Sequence, residues 1–159
     1  MEIRYSNHPT DAKKYDTNEL RSHFLIEKVF EPGKIKLVYS HIDRIIAGGI
    51  SPSNEKIRLE PGKELGGVQS FFERREGGVI NVGAPGKIIL DGETHELRNK
   101  DALYIGLGVK EAIFEANAPA NPPKFYFNSC PAHHSYPSKR ITLEDAKKVA
   151  LGDIKTSNK

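Results

Sequence analysis

FFERREGGVINVGAPGKIILDGETHELRNKDALYIGLGVKEAIF, from Phe71 to Phe114, carries its own strands and its own turns. Val79 to Val82 is a short run rich in β-branched residues, Ala84-Pro85-Gly86 supplies a turn, and Lys87 to Leu90 is a second run of the same kind. Asp91-Gly92 favours a type I′ hairpin, because both central residues of that turn need positive φ and glycine takes it without steric cost. Glu93 to Leu97 is therefore expected to pair back on Lys87 to Leu90. Arg98-Asn99-Lys100 turns the chain again into Ala102 to Ile105, Gly106-Leu107-Gly108 bends it once more, and Ala112 to Phe114 forms one further strand. Short strands with turn signals at this spacing predict an all-β sandwich or barrel.

Working outward, Ile26 to Phe30 and Ile35 to Tyr39 flank Glu31-Pro32-Gly33-Lys34 and predict a hairpin with Val29, Leu37 and Tyr39 in the core. Arg44 to Ile50 reads as an apolar strand whose Gly48-Gly49 pair signals a bulge or a close backbone approach. Lys56 to Leu59 is another short strand, and Lys124 to Asn128 the last one, after a proline-rich loop over Asn117 to Pro123. Helices are confined to the periphery. Asp16-Thr17-Asn18-Glu19 resembles a capping box opening a helix through Phe24, behind a polar arm, and Thr142-Leu143-Glu144-Asp145 predicts a second short helix through Ala150. Residues 151–159 read as a linker.

The 159 residues, 37% hydrophobic and 28% charged, suffice for one domain with a real core. The net charge of +3 arises from 24 basic and 21 acidic residues spread along the chain, which is not the concentrated basic stripe that nucleic acid requires. No run of about 18 apolar residues predicts a membrane span, and the single cysteine, Cys130, has no internal disulfide partner. A soluble, cytoplasmic protein is the expectation.

An antiparallel barrel of this length belongs with the jelly-roll and cupin group, whose chemistry usually sits on a metal inside the barrel. Glu76 and Gly83 fit the glutamate-to-glycine spacing of the cupin pattern, but the positions that should hold its histidines fall among Gln69, Ser70, Phe71 and Phe72. Glu111 stands where the fourth ligand should be. Two carboxylates among aromatics make a poor site for zinc or iron, so the barrel is expected to be metal-free and filled by Phe71, Phe72, Ile80, Ile89 and Leu103. His95 reads as a solvated strand residue. His133-His134 reads as a surface segment, since neighbours in an extended chain point to opposite sides. The arginines are a better functional candidate: Arg44 opens a strand, and Arg74 and Arg75 lie between Glu73 and Glu76. Guanidinium forks at the mouth of a barrel suit an acidic sugar, although an Arg-Glu ladder across strands is the structural alternative.

FLIEKVF (Phe24 to Phe30), VYSHIDRIIAGGI (Val38 to Ile50), FFERREGGVINVG (Phe71 to Gly83), DALYIGLG (Asp101 to Gly108), KFYFNSCPAHHSYPSKRIT (Lys124 to Thr142) and LGDIKTSN (Leu151 to Asn158) together resemble the 5-keto-4-deoxyuronate isomerase family. The resemblance implies two cupin-like halves, of which this chain matches the first. It places the family's zinc ligands, three histidines and a glutamate, in the second half, so no zinc is expected here. It implies residues 1–150 as a single metal-free cupin-like domain, with an N-terminal arm over about 1–24, followed by the linker. The implied reaction is a ketol isomerisation interconverting 5-dehydro-4-deoxy-D-glucuronate and 3-deoxy-D-glycero-2,5-hexodiulosonate during polyuronate breakdown in the bacterial cytoplasm, by a homo-oligomer, a hexamer in the family. Arg44, Arg74 and Arg75 are the residues expected to meet the substrate carboxylate. The alternative is a non-catalytic cupin module for uronate binding or oligomer assembly.

Overall fold

The computed structural model describes residues 1–147, 149 and 152 of the chain. Its elements are β1 (Glu2–Arg4), α1 (Pro9–Ala12), α2 (Thr17–Phe24), β2 (Lys34–Ser40), β3 (Ile46–Ser51), β4 (Ile57–Arg58), β5 (Arg75–Asn81), β6 (Gly86–Leu90), β7 (Glu93–Leu97), β8 (Ala102–Ile105), β9 (Ala112–Ala116), β10 (Phe125–Pro131) and β11 (Lys139–Ile141), with a 3-10 turn at Lys63–Leu65. Seven strands form one sheet in the order β1-β2-β3-β10-β5-β8-β11, and four form the other in the order β4-β9-β6-β7. The two face each other as a β-sandwich, all antiparallel except for β1 beside β2.

The central hairpin forms as its turn chemistry demands. Asp91 and Gly92 take φ of 48° and 90°, and Leu90 lies opposite Glu93. The Asp91 carboxylate also accepts from the backbone N–H groups of Lys110 and Glu111, at 3.0 and 2.8 Å, which ties the β8–β9 loop to the hairpin tip. Upstream, Asp16 and Glu19 make the reciprocal capping box that opens α2.

Strand alternation buries one row of each sheet: Ile46, Val79, Ile88, Phe114, Phe125 and Phe127 are all essentially inaccessible to solvent. Phe71, Phe72 and Phe127 meet edge-on or tilted, with ring centroids 5.0, 5.5 and 6.3 Å apart, and fill the interior between the sheets. Leu103 is buried with them. Ile80 and Ile89 are not: Ile80 is 45% exposed on the outer face and Ile89 half-buried, because the inward positions of β5 and β6 are their neighbours Val79 and Ile88. A one-residue error in register exchanges the faces of a strand.

Other expectations need correction. Ile26 to Phe30 is not a strand, and β2 pairs instead with β3 and, in parallel, with β1, which lies in the arm expected to be irregular. Leu37 is buried as expected, while Val29 and Tyr39 are partly buried. Gly49 explains where Val29 and Phe30 go: a Cβ there would stand 2.4 Å from the Val29 carbonyl and 2.7 Å from the Phe30 ring, so the non-strand segment packs directly on the bare backbone of β3. Phe125–Pro131 is not the last strand but the middle of the large sheet, between β3 and β5, and β11 follows it. At Thr142 to Asp145 the capping bonds form, with the Thr142 N–H and hydroxyl donating to Asp145, yet residues 143–145 make a turn and no helix follows in the described residues. The expected helix end at Ala150 and the linker, Gly152 apart, lie outside the described residues.

A buried amide holds the corner where the chain crosses between sheets. Asn81, with no solvent exposure, donates from Nδ2 to the carbonyls of Ala84 and Leu97 (2.8 and 3.0 Å) and accepts at Oδ1 from the N–H groups of Gly83 and Lys124 (3.0 and 3.3 Å). The entry to β6, the end of β7 and the entry to β10 thus meet on one side chain. Asn81→Ala takes this partner from one buried and three partly buried backbone groups and is expected to cost about 3 kcal/mol in urea unfolding. Beside it, buried Asp101 accepts from Arg140 Nη2 at 2.8 Å and from the Arg98 N–H at 3.0 Å. Burial alone raises the pKa of that carboxyl, but the bond from Arg140 and the Arg98 N–H outweigh it and leave a net lowering. A carboxyl with a depressed folded-state pKa contributes stability that is complete above the ordinary aspartate value of about 4 and is lost as pH falls through the folded value. Unfolding midpoints measured below about pH 4 should therefore fall less steeply in Asp101→Asn than in the parent.

Candidate functional site

The β2–β3 turn, the end of β5 and the end of β10 meet at one mouth of the sandwich. Ser40 N–H donates to the Ile45 carbonyl across the turn, and between them Asp43 and Arg44 both adopt left-handed backbone, with φ of 54° and 55°. Aspartate tolerates that region; arginine rarely adopts it, at a cost of about 1–2 kcal/mol. The strain has a visible result, since it presents the Arg44 carbonyl to Arg75, whose Nη2 donates to it at 2.6 Å.

Arg75 begins β5 on the inward side, only 6% exposed. Its Nε donates to Ser129 Oγ at 3.0 Å, and Nη2 donates also to the Ser129 carbonyl at 2.9 Å. Ser129 passes its own hydroxyl proton to the Glu76 carbonyl at 2.6 Å, which fixes the acceptor. The guanidinium lies 5.8 Å above the Tyr39 ring, within cation–π range. Burial, the largest influence, lowers the pKa of Arg75 from its ordinary value; Tyr39 and Cys130 act the other way, and Arg44 adds to the lowering. An arginine remains charged through such shifts. Among the described residues no carboxylate stands within 4.0 Å of it.

Arg75 borders a cleft of about 180 Å³ together with Tyr39, Phe71, Arg44 and Arg74. The structure therefore brings all three sequence-predicted arginines to one place, but in different states. Arg75 is interior; Arg44 is exposed on the strained turn; Arg74, one residue before β5, is well exposed and 3.7 Å from Glu73. Glu64 also borders the cleft, beyond 4.0 Å of any of the three.

The residues singled out by the cupin pattern do not converge. Glu76 points to the outer face, where it accepts from the Tyr104 hydroxyl at 2.6 Å and lies 3.7 Å from the Cys130 thiol. That bond, followed by burial, pushes the Tyr104 pKa up to about 12, and burial followed by the Glu76 charge raises that of the Cys130 thiol. Glu111 pairs with Arg58 at 3.1 Å. His133 and His134 are exposed in a bend, and His95 is not solvated but turned inward, its Nε2 buried without a hydrogen-bond partner. Among the described residues no three His, Cys, Asp or Glu side chains gather as a metal-binding group, and Phe71 and Phe72 occupy the interior. The residues present do not fit a zinc site. Sequence reading missed Ser129 and Tyr39, the groups that seat Arg75; the inward alternation of Phe125, Phe127 and Ser129 along β10 was the available signal.

Fold and cleft together define a two-sheet β-sandwich with a phenylalanine-filled interior and a cationic mouth. No protein-family model matches the chain. Curated proteins from Yersinia pseudotuberculosis and Yersinia pestis, both named 4-deoxy-L-threo-5-hexosulose-uronate ketol-isomerase, are 52% and 51% identical to it over 161 aligned positions, covering 100% of this chain and 58% of theirs. The chain is similar to these relatives along its whole length and spans a little over half of theirs. Solved structures superpose more loosely: the protein Ylba from E. coli gives a TM-score of 0.48 at 10% identity, over 65% of this chain and 40% of that one. A cupin protein from Bacteroides fragilis gives 0.40 at 18% identity, over 67% and 77%. No described helix is long and apolar enough to cross a membrane.

Arg44→Gly tests the strain. Relief of about 1–2 kcal/mol at the left-handed position is offset by glycine's greater unfolded-state entropy, about 0.5–1 kcal/mol, and the carbonyl that Arg75 needs is kept. Urea unfolding of this variant should lie within about 1 kcal/mol of the parent.

Proposed function

We propose that the chain is the non-metal portion of a ketol-isomerase that interconverts 5-dehydro-4-deoxy-D-glucuronate and 3-deoxy-D-glycero-2,5-hexodiulosonate in polyuronate catabolism. The observation that carries this reading is the 52% identity running the whole length of the chain to proteins bearing that name. Because the chain spans 58% of their length, the activity is assigned to the longer protein. Ketol isomerisation moves a proton between adjacent carbons through an enediol and needs a base and a stabilised oxyanion. The described residues offer no cluster of metal donors for that purpose. Zinc belongs to this proposal only as the family resemblance implies it, with its ligands in the second half.

What remains for these residues is scaffold and substrate placement. A filled interior favours the scaffold role over a ligand-binding barrel, and the cationic mouth supplies a place suited to an acidic sugar. Arg44, Arg74 and Arg75 are assigned to the substrate carboxylate. Cytoplasmic location and assembly into a homo-oligomer, a hexamer as the resemblance implies, belong to the same proposal.

The test is steady-state kinetics of the full-length enzyme, with its zinc content measured alongside. Turnover of the deoxyuronate with metal bound is expected in the parent. Arg44→Ala and Arg75→Ala should raise KM about tenfold with little change in kcat, because a contact to a non-reacting carboxylate is lost equally from ground and transition state. Unchanged KM in these two variants and in Arg74→Ala would remove the substrate role, and absence of turnover would remove the isomerase reading.

A further inference from the structure

We infer that the chain carries a small-anion site at the mouth of the sandwich, in which Arg75 Nη1 and the Arg44 side chain together take the carboxylate of a sugar acid. The argument begins with an imbalance. A guanidinium has five N–H donors, and the protein engages three of those of Arg75, all with neutral acceptors: Nε with Ser129 Oγ, and Nη2 with the carbonyls of Ser129 and Arg44. Among the described residues nothing accepts from either N–H group of Nη1, on a residue that borders the cleft.

A buried charge is ordinarily paired, and one without a counter-charge is costly. Here the cost is compounded. A second cation, Arg44, borders the same cleft from a turn with two consecutive left-handed residues. Tyr39 and Ser129 orient the guanidinium but neutralise nothing. Arg74 has Glu73 beside it, and Glu64 stays beyond ion-pair distance, so two of the three arginines remain uncompensated by the described residues. A bound anion removes both penalties at once. The cleft volume, about 180 Å³, holds about one monosaccharide and not a polymer chain. A carboxylate matches the planar donors of the guanidinium.

The anion site stands on this geometry alone; the choice of a sugar acid rests on the isomerase reading above. Calorimetric titration of the 159-residue chain at low ionic strength with D-glucuronate, D-glucose and acetate separates the two. Glucuronate is expected to bind saturably, more tightly than acetate, and to weaken as salt is added; glucose is expected not to bind. Arg75→Gln should abolish binding and Arg44→Gly should weaken it about tenfold, with Arg74→Ala weakening it less. Should Arg75→Gln fail to fold, Arg44→Gly still decides, since its turn accepts glycine. Absence of glucuronate binding to the parent, or equal binding by the parent and Arg44→Gly, overturns the anion site. Acetate binding as tightly as glucuronate overturns the sugar-acid assignment, and glucose binding as tightly as glucuronate overturns the carboxylate contact. Loss of turnover in the full-length enzyme bears on neither binding result.

Discussion

Four hydrogen bonds converge on the Asn81 side chain, and the sandwich depends on them. A two-sheet fold must carry its chain across from one sheet to the other, and each crossing leaves backbone groups beyond the end of a ladder, buried and without strand partners. At this corner one amide meets two carbonyls and two N–H groups drawn from β5's exit, β7's end and β10's entry. An apolar residue of similar size fills the same space and leaves all four groups orphaned. Asp101 performs a related task with a charge: it closes the β7–β8 turn and holds Arg140 of β11 against the sheet edge. The interior beyond these polar corners is free to be dry, and phenylalanine fills it.

That filling shapes the chemistry available. In a sandwich whose interior is occupied by Phe71, Phe72 and Phe127, inward polar side chains gather mainly towards the ends of strands, and Arg75 is one of them. Its position at the first residue of β5 gives the guanidinium an apolar floor, an aromatic face and a neutral hydrogen-bonding wall. A strained hairpin opposite completes the mouth. Preorganisation of this kind, paid in backbone strain and desolvation, is what distinguishes Arg75 from Arg74 one residue earlier, which reaches into water beside Glu73.

Local chemistry was legible in the sequence, and long-range pairing was not. Asp91-Gly92 specified its hairpin, and Asp16 and Glu19 their helix cap, because each signal acts within four residues. β1 was hidden because its pairing with β2 is parallel and bridges 36 residues, as Glu2 opposite Val38 shows, and β11 because Lys-Arg-Ile has no apolar alternation of its own. Ile26 to Phe30 has strand composition, but the bare backbone of Gly49 draws it into packing across β3 instead of pairing alongside. The arginine cluster was visible as composition. Its division into an interior and an exterior member follows from alternation, which needs the register, and the register of β5 was read one residue out.

The placement of β10 at the centre of the large sheet also governs how the protein is made. Its residues, 125 to 131, bridge strands that end at Ser51 and Asn81, so the middle ladder joins segments separated by roughly 45 to 80 positions of chain. Contacts of such long range close late and slowly. During synthesis β3 and β5 emerge long before the strand that joins them, and each presents an unpaired edge until it arrives. Over that interval the open edges of β3 and β5 are exposed to mispairing with neighbouring chains.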